Sequence, residues 1–192
     1  MNTLYPIFIK TENIRILVVG GGSVALEKLS FLLKSSPQAN ITIVAKTISD
    51  DILSLIKNKD KVKSNIKQFE VSDIIQYQLI IAATNDTVVN QTIYQAAKQN
   101  NILVNVADTP ALCDFYLGGI VTKGDLKLAI STNGKSPTMA KQLRQFFEAI
   151  IPEEIDDLLQ NMNAYRKTLQ SDFKTKVETL NDLTKSILNK ND

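Results

Sequence analysis

The chain contains no histidine and no tryptophan, and a single cysteine, Cys113. Without histidine there is no imidazole base, no imidazole metal ligand and no Ser-His or Cys-His nucleophile pair. A structural zinc site built from Cys and His is excluded by the same count, so no resident metal is expected. Any acid–base step falls to Asp, Glu, Lys, Tyr or the substrate. One cysteine cannot form an internal disulfide and suits a reducing, cytoplasmic setting. No apolar run approaches the ~20 residues of a membrane span, so no membrane partner is expected. The opening Met1-Asn2-Thr3-Leu4-Tyr5-Pro6 lacks the basic-then-apolar order of a signal peptide. Charge of either sign is not in excess: 22 Lys and Arg against 20 Asp and Glu leave +2, too little to argue for a nucleic-acid partner. What remains is 192 residues of which 44 % are hydrophobic. That is enough core for one medium domain, or for about 110 residues plus a smaller unit.

Three of the seven glycines stand together at 20–22. The β-branched run Ile16–Val19 enters them, and Ser23 to Lys28 leaves as a helix. Gly20, Gly22 and Ala25 fill the G-x-G-x-x-G/A pattern of a dinucleotide-binding turn. Gly20 permits the tight turn, Gly22 lets backbone approach a pyrophosphate, and Ala25 keeps the helix close to the strand. The N–H groups at the helix start, at Ser23 and Val24, then face phosphate with the helix dipole behind them. The competing reading is a plain glycine turn.

Alternation continues to residue 107. Strands are expected at Ile14–Val19, Ile41–Ala45, Leu79–Thr84 and Ile102–Val106, with Ile66–Val71 as a short third strand in chain order. Helices are expected at Ser23–Ser35, Ser49–Asn58 and Asp86–Gln99. This is an α/β pattern with a doubly wound parallel sheet of the Rossmann type. Ligands of such sheets sit at the carboxyl ends of the strands, where Gly20–Ser23, Ala45–Thr47, Thr84–Asp86 and Asn105–Asp108 fall. Lys46, Thr47, Thr84 and Asn105 are therefore candidate cofactor residues beside the glycine turn. After Thr109-Pro110 the pattern changes. Phe115–Thr122 and Leu126–Ser131 read as two strands joined by Lys123-Gly124-Asp125, a hairpin connection. Ser136 as N-cap and Pro137 at the first helical position then open a helix to about Ile150. The last forty residues carry an apolar stripe through Ile155, Leu158, Leu159, Met162, Leu169, Phe173, Val177, Leu180, Leu183 and Ile187. They read as a helical pair broken near Ser171-Asp172. The division expected is 1–112, 113–150 and 151–192.

Four stretches resemble the precorrin-2 dehydrogenase family, which includes the N-terminal module of siroheme synthase. They are Val18–Ala25 with Lys28; Ile81–Asp86 with Asn90; Asn105–Pro110 followed by Cys113-Asp114-Phe115; and Gly124-Asp125-Leu126 with Ala129–Pro137. The last two are the specific ones, since a generic nucleotide-binding sheet has no reason to contain them. The resemblance spans about residues 4–150. It implies oxidation of precorrin-2 to sirohydrochlorin with NAD⁺ on the route to siroheme or cobalamin. It also implies a homodimer joined through the segment after the first domain and a helical C-terminal region. Some relatives also insert iron. The family's key aspartate falls on Asp108. A carboxylate there is placed to accept a proton while hydride leaves a reduced tetrapyrrole, although Asp108 reads equally as a turn residue before Thr109-Pro110. The substrate's carboxylates call for cations, for which Lys135, Lys141 and Arg144 are candidates. Thr132 stands at a Ser/Thr position of the family's loop, with a turn role as the alternative.

Three departures bear on this. No acid stands at the end of the second strand, where a ribose-binding Asp or Glu is expected about 20 residues after the glycines. Lys46 and Thr47 stand there instead, so NAD⁺ follows from the resemblance and NADP⁺ is not excluded. Phe115–Gly119 replaces the proline and alanine often found there. No methyltransferase segment follows, so a standalone type is expected. Two rivals explain part of the chain: a dinucleotide-sensing module without catalysis, and an assembly protein on a vestigial fold.

Overall fold

The structure is a computed structural model that describes residues 2–169 and 172–188. It divides into two compact units, residues 1–119 with 129–141 and residues 120–128 with 142–192.

The first unit is built on five parallel strands: β1 (Arg15–Val19), β2 (Asn40–Ala45), β3 (Val62–Ile66), β4 (Leu79–Ala82) and β5 (Leu103–Val106). Their order across the sheet is β3-β2-β1-β4-β5. Helices α1 (Ser23–Ser35), α2 (Asp50–Ile56) and α3 (Thr87–Gln99) connect them. The strands β1 and β4 are apolar on both faces, and alternate residues feed two separate cores. Ile16, Val18, Leu79 and Ile81 pack with Leu29 and Leu33 of α1 and Ile52 of α2. Leu17, Val19, Ile80 and Ala82 pack with Ile93, Ala96 and Ala97 of α3. A one-residue slip would exchange the two sets, so the register is set by burial. Chain order reverses between β1 and β4, which makes the carboxyl ends of these two strands the crevice of the sheet.

Two strands differ from expectation. The third is Val62–Ile66, not Ile66–Val71. It is an edge strand, exposed at every residue after Val62, so the polar run Lys63-Ser64-Asn65 pairs with β2 while carrying no apolar signal. The run read as Phe115–Thr122 begins pairing only at Gly119. Residues 113–115 instead lie against β5, where the Asp114 N–H donates to the Val104 carbonyl at 2.8 Å.

The hairpin of β6 (Gly119–Lys123) and β7 (Leu126–Ile130) turns at Gly124, whose φ of +54° favours glycine. Helices α4 (Pro137–Ile150), α5 (Ile155–Thr168) and α6 (Phe173–Leu188) complete the chain. At the start of α4 the Ser136 hydroxyl accepts the Met139 N–H at 3.2 Å, the expected N-cap. In the second unit α5 and the turn before it hold the hairpin tip: Asp156 of α5 accepts the Asp125 N–H at 2.7 Å, and Glu153 of the turn pairs with Lys123. The expected helical pair is present, with α5 ending at Thr168 and α6 beginning at Phe173. Of the break expected near Ser171-Asp172, Ser171 lies outside the described residues, as do the side chains of Phe173 and Ile187 in the apolar stripe.

Candidate dinucleotide site and adjoining carboxylate

The glycine run turns the chain out of β1 into α1, and each glycine meets a different constraint. Gly20 has φ +131°, and a Cβ there would strike the Ala83 carbonyl at the end of β4. A Cβ on Gly21 would strike the Thr47 carbonyl beyond β2. Gly21 is tied further by its carbonyl, which accepts the Ser49 N–H at 2.9 Å, while the Gly20 N–H donates to Val44 at 2.9 Å. A Cβ on Gly22 would meet nothing within 4 Å. The first two glycines thus let three strand ends converge, and the third leaves open space at the helix start.

That helix start has the character of an anion site. Gly22 is the N-cap of α1, no side chain caps it, and no acid stands in the first turn. The first backbone bond of the helix runs from the Leu26 N–H to the Gly22 carbonyl, so the N–H groups of Ser23, Val24 and Ala25 precede it. Oriented N–H groups with no competing carboxylate suit a phosphate. Beside them a cavity of about 690 Å³ is walled by the ends of β1, β2 and β4 and by the chain leaving β3. Its volume is that of a small-molecule site. Gly20, Gly22, Lys46, Thr47 and Thr84 of the expected residues line it. Ser23, Val24 and Asn105 do not, which leaves the first two a role through backbone N–H groups.

The floor beneath β4 is held by a buried amide. Asn90 of α3 donates to the Thr84 carbonyl at 3.0 Å and accepts the Thr84 hydroxyl at 2.7 Å. Asp86 caps α3 by accepting the Val88 and Val89 N–H groups at 2.9 and 3.1 Å. The turn after β4 is therefore fixed by three side chains, and its polar groups are paired rather than left buried without partners.

Asp108 stands just beyond β5, exposed, with φ +58°. A non-glycine residue in that region is strained unless its surroundings hold it. Here both flanks are held. Ahead of it the Ala107 N–H donates to Ala82 at 2.9 Å. Behind it residues 113–115 return along β5. Asp114 accepts the Val104 N–H at 3.1 Å and pairs with Lys98 at 2.6 Å. That carboxylate, hydrogen-bonded to it, raises the Lys98 ammonium above its ordinary pKa. The Asn105 amide donates to the Phe115 carbonyl at 2.8 Å. The Cys113 thiol donates to the Val106 carbonyl at 3.2 Å. Burial pushes that thiol above its ordinary pKa, while the Val106 N–H, which donates to the sulfur at 3.4 Å, acts in the opposite direction. Asn105, expected at the cofactor, has its amide nitrogen turned to this return segment.

The loop after β7 folds on itself. Thr132 accepts the Ser136 N–H at 3.2 Å and donates to the Ser136 carbonyl at 3.1 Å, so its hydroxyl closes the turn. Asn133 and Gly134 both have positive φ there. Lys135 and Lys141 are exposed, and Arg144 pairs with Glu148 one turn along α4.

Gly21, Asn85 and Asp86, which fall within the strand-end stretches named from sequence, also line the cavity, and Gln68 and Phe69 line it without having been singled out. Gln68 and Phe69 were hidden inside the expected third strand. The true strand ends at Ile66 and releases both to the cavity wall.

A family described as "Putative NAD(P)-binding" matches residues 7–119, and one described as "Sirohaem biosynthesis protein central" matches residues 123–150. The chain is similar to the siroheme synthase of Pseudoalteromonas atlantica, 37 % identical over 88 % of this chain and 36 % of that protein. It is also similar to that of Methylococcus capsulatus, 39 % identical over 80 % of this chain and 32 % of that protein. The chain spans about a third of the length of these curated relatives. Among solved structures it is similar to SirC, precorrin-2 dehydrogenase, with a TM-score of 0.76 and 27 % identity over 95 % of this chain and 90 % of that one.

Proposed function

Because the chain belongs to the family described as NAD(P)-binding, whose match takes in more than half of it, we propose that it is a precorrin-2 dehydrogenase. It oxidises precorrin-2 to sirohydrochlorin with NAD⁺ as the hydride acceptor. The observation that carries this reading is the similarity to SirC, precorrin-2 dehydrogenase, over nearly the full extent of both chains. A cavity at the crevice of the sheet with a carboxylate beyond the neighbouring strand is the geometry such chemistry needs.

The residues fit the cofactor. The space at Gly22 and the N–H groups of Ser23 and Val24 accommodate the pyrophosphate, and Lys46 and Thr47 hold the adenosine ribose. The dinucleotide, when bound, supplies a two-electron acceptor. The chain's own work is to bind, orient and take a proton. Asp108 is the base: its carboxylate accepts the proton that the tetrapyrrole gives up as its hydride leaves. Thr84 and Asn90 hold the turn after β4, and Asn105 holds the segment that returns behind Asp108. Lys135 and Lys141 meet the substrate's carboxylates, with Thr132 holding the loop that carries Lys135. In this reading residues 1–112 bind dinucleotide, 113–150 form the substrate and dimerisation segment, and 151–192 are the helical region. The protein works as a cytoplasmic homodimer.

The test is anaerobic turnover of enzymatically generated precorrin-2 with NAD⁺, followed by NADH formation and sirohydrochlorin absorbance. Turnover is the expected result. Dinucleotide binding without turnover would favour the sensing module instead. Iron insertion into sirohydrochlorin is a separate assay, and a rate equal to that without enzyme would limit the protein to oxidation.

A further inference from the structure

The end of the cavity beyond β2 offers hydrogen-bond donors and no carboxylate. Lys46, Thr47 and Gln68 line it with an ammonium, a hydroxyl and an amide. Recognition restricted to an unphosphorylated ribose diol rests on a carboxylate at the end of the second strand, and β2 runs into Ala45-Lys46-Thr47 with none. Among the described residues Asp86 is the one carboxylate lining the cavity, and its Oδ1 accepts the N–H groups of Val88 and Val89 at the start of α3.

The two cations near this end differ. Lys67 is neutralised by Asp73 at 2.9 Å and by Glu70 at 3.4 Å. Lys46 is exposed and, among the described residues, has no carboxylate within ion-pair distance. An ammonium on a cavity wall with no carboxylate within ion-pair distance attracts a dianion, and the hydroxyl of Thr47 and the amide of Gln68 can each donate to one.

Resting on the reading of this cavity as a nicotinamide dinucleotide site, we propose that its adenosine end accepts a 2′-phosphomonoester. The protein then takes NADP⁺ as well as NAD⁺, and Lys46 is the residue that sets the ratio between them. A diol-binding carboxylate would repel the 2′-phosphate, and its absence removes the usual barrier.

Calorimetric titration separates the pieces. Wild-type protein and Lys46→Ala are each titrated with NAD⁺, 5′-AMP and 2′,5′-ADP; the two nucleotides differ only in the 2′-phosphate. The expected result is that wild-type protein binds 2′,5′-ADP at least as tightly as 5′-AMP. Lys46→Ala then lowers the ratio of the two affinities about tenfold or more, the size of a charge-assisted contact. Added salt should narrow the wild-type ratio toward that of the variant. Rejection of 2′,5′-ADP by protein that binds 5′-AMP and NAD⁺ overturns the inference and leaves the dinucleotide reading intact. A ratio unchanged by Lys46→Ala overturns the role of Lys46. Failure of all three ligands to bind overturns the dinucleotide reading and the inference with it.

Discussion

At the residue scale, neighbouring glycines answer to different physics. Gly20→Ala combines a strained φ of +131° with a collision at the Ala83 carbonyl, so it should destabilise the fold by about 1–3 kcal/mol or more. Gly22→Ala meets open space in the free protein. It should leave the melting temperature nearly unchanged while weakening dinucleotide binding, because its methyl enters the space left for phosphate. A thermal melt beside a binding titration separates the two, and equal loss of stability in both variants would contradict the assignment. In sequence Asp108 reads both as the aspartate to which the family resemblance points and as a turn residue before Thr109-Pro110. The structure places it in a turn closed by the Thr109 N–H on the Val106 carbonyl, with φ +58°, and its role as base rests on the proposed reaction. Asp108→Ala is expected to retain dinucleotide affinity and to lose about 10²–10⁴-fold in precorrin-2 oxidation. Full turnover in that variant would remove Asp108 from the mechanism.

At the scale of elements, the segment from Cys113 to Phe115 shows how a strand-like sequence can serve without pairing as a strand of either sheet. It lies along β5, fastened by Asp114, Asn105 and the Cys113 thiol. Burial raises the Cys113 pKa, so at a given pH the folded protein carries less thiolate than the unfolded chain. Alkylation by iodoacetamide near pH 8 should therefore be slower in folded than in denatured protein, and its rise with pH should be displaced upward. Equal rates in the two states would mean that the return segment is open. The linked effect on stability has a definite sign. The native state keeps a proton that the unfolded state releases, so this contribution is present below the unfolded thiol value and declines as pH rises through the folded one. The third strand is the other instructive element. Val62–Ile66 pairs through its backbone at the sheet edge, where side chains face solvent and composition says little.

At the scale of the whole molecule, α4 carries Met139, Leu143, Phe146 and Ile150 at spacings of three and four, all of them exposed. Together with the dimer implied by the family resemblance, this stripe predicts self-association. Light scattering at micromolar concentration should give twice the chain mass of 21.3 kDa. A monomer at that concentration would refute the dimer and leave the stripe without a partner. No helix among the described residues is long and apolar enough to cross a membrane.

The sequence by itself determined the alternation of strands and helices, the glycine turn, the cap at Ser136, and the absence of imidazole chemistry. Those are local properties, carried by periodicity, backbone freedom and side-chain type within a few residues. The tertiary structure decided which strand is the third, that Gln68 and Phe69 reach the cavity, and that Gly21 is needed where three strand ends meet. It also decided that Asn105 turns toward Phe115. Each of these depends on what lies across the sheet, at sequence separations of ten residues or more, and burial against a distant partner leaves no periodic trace in the chain.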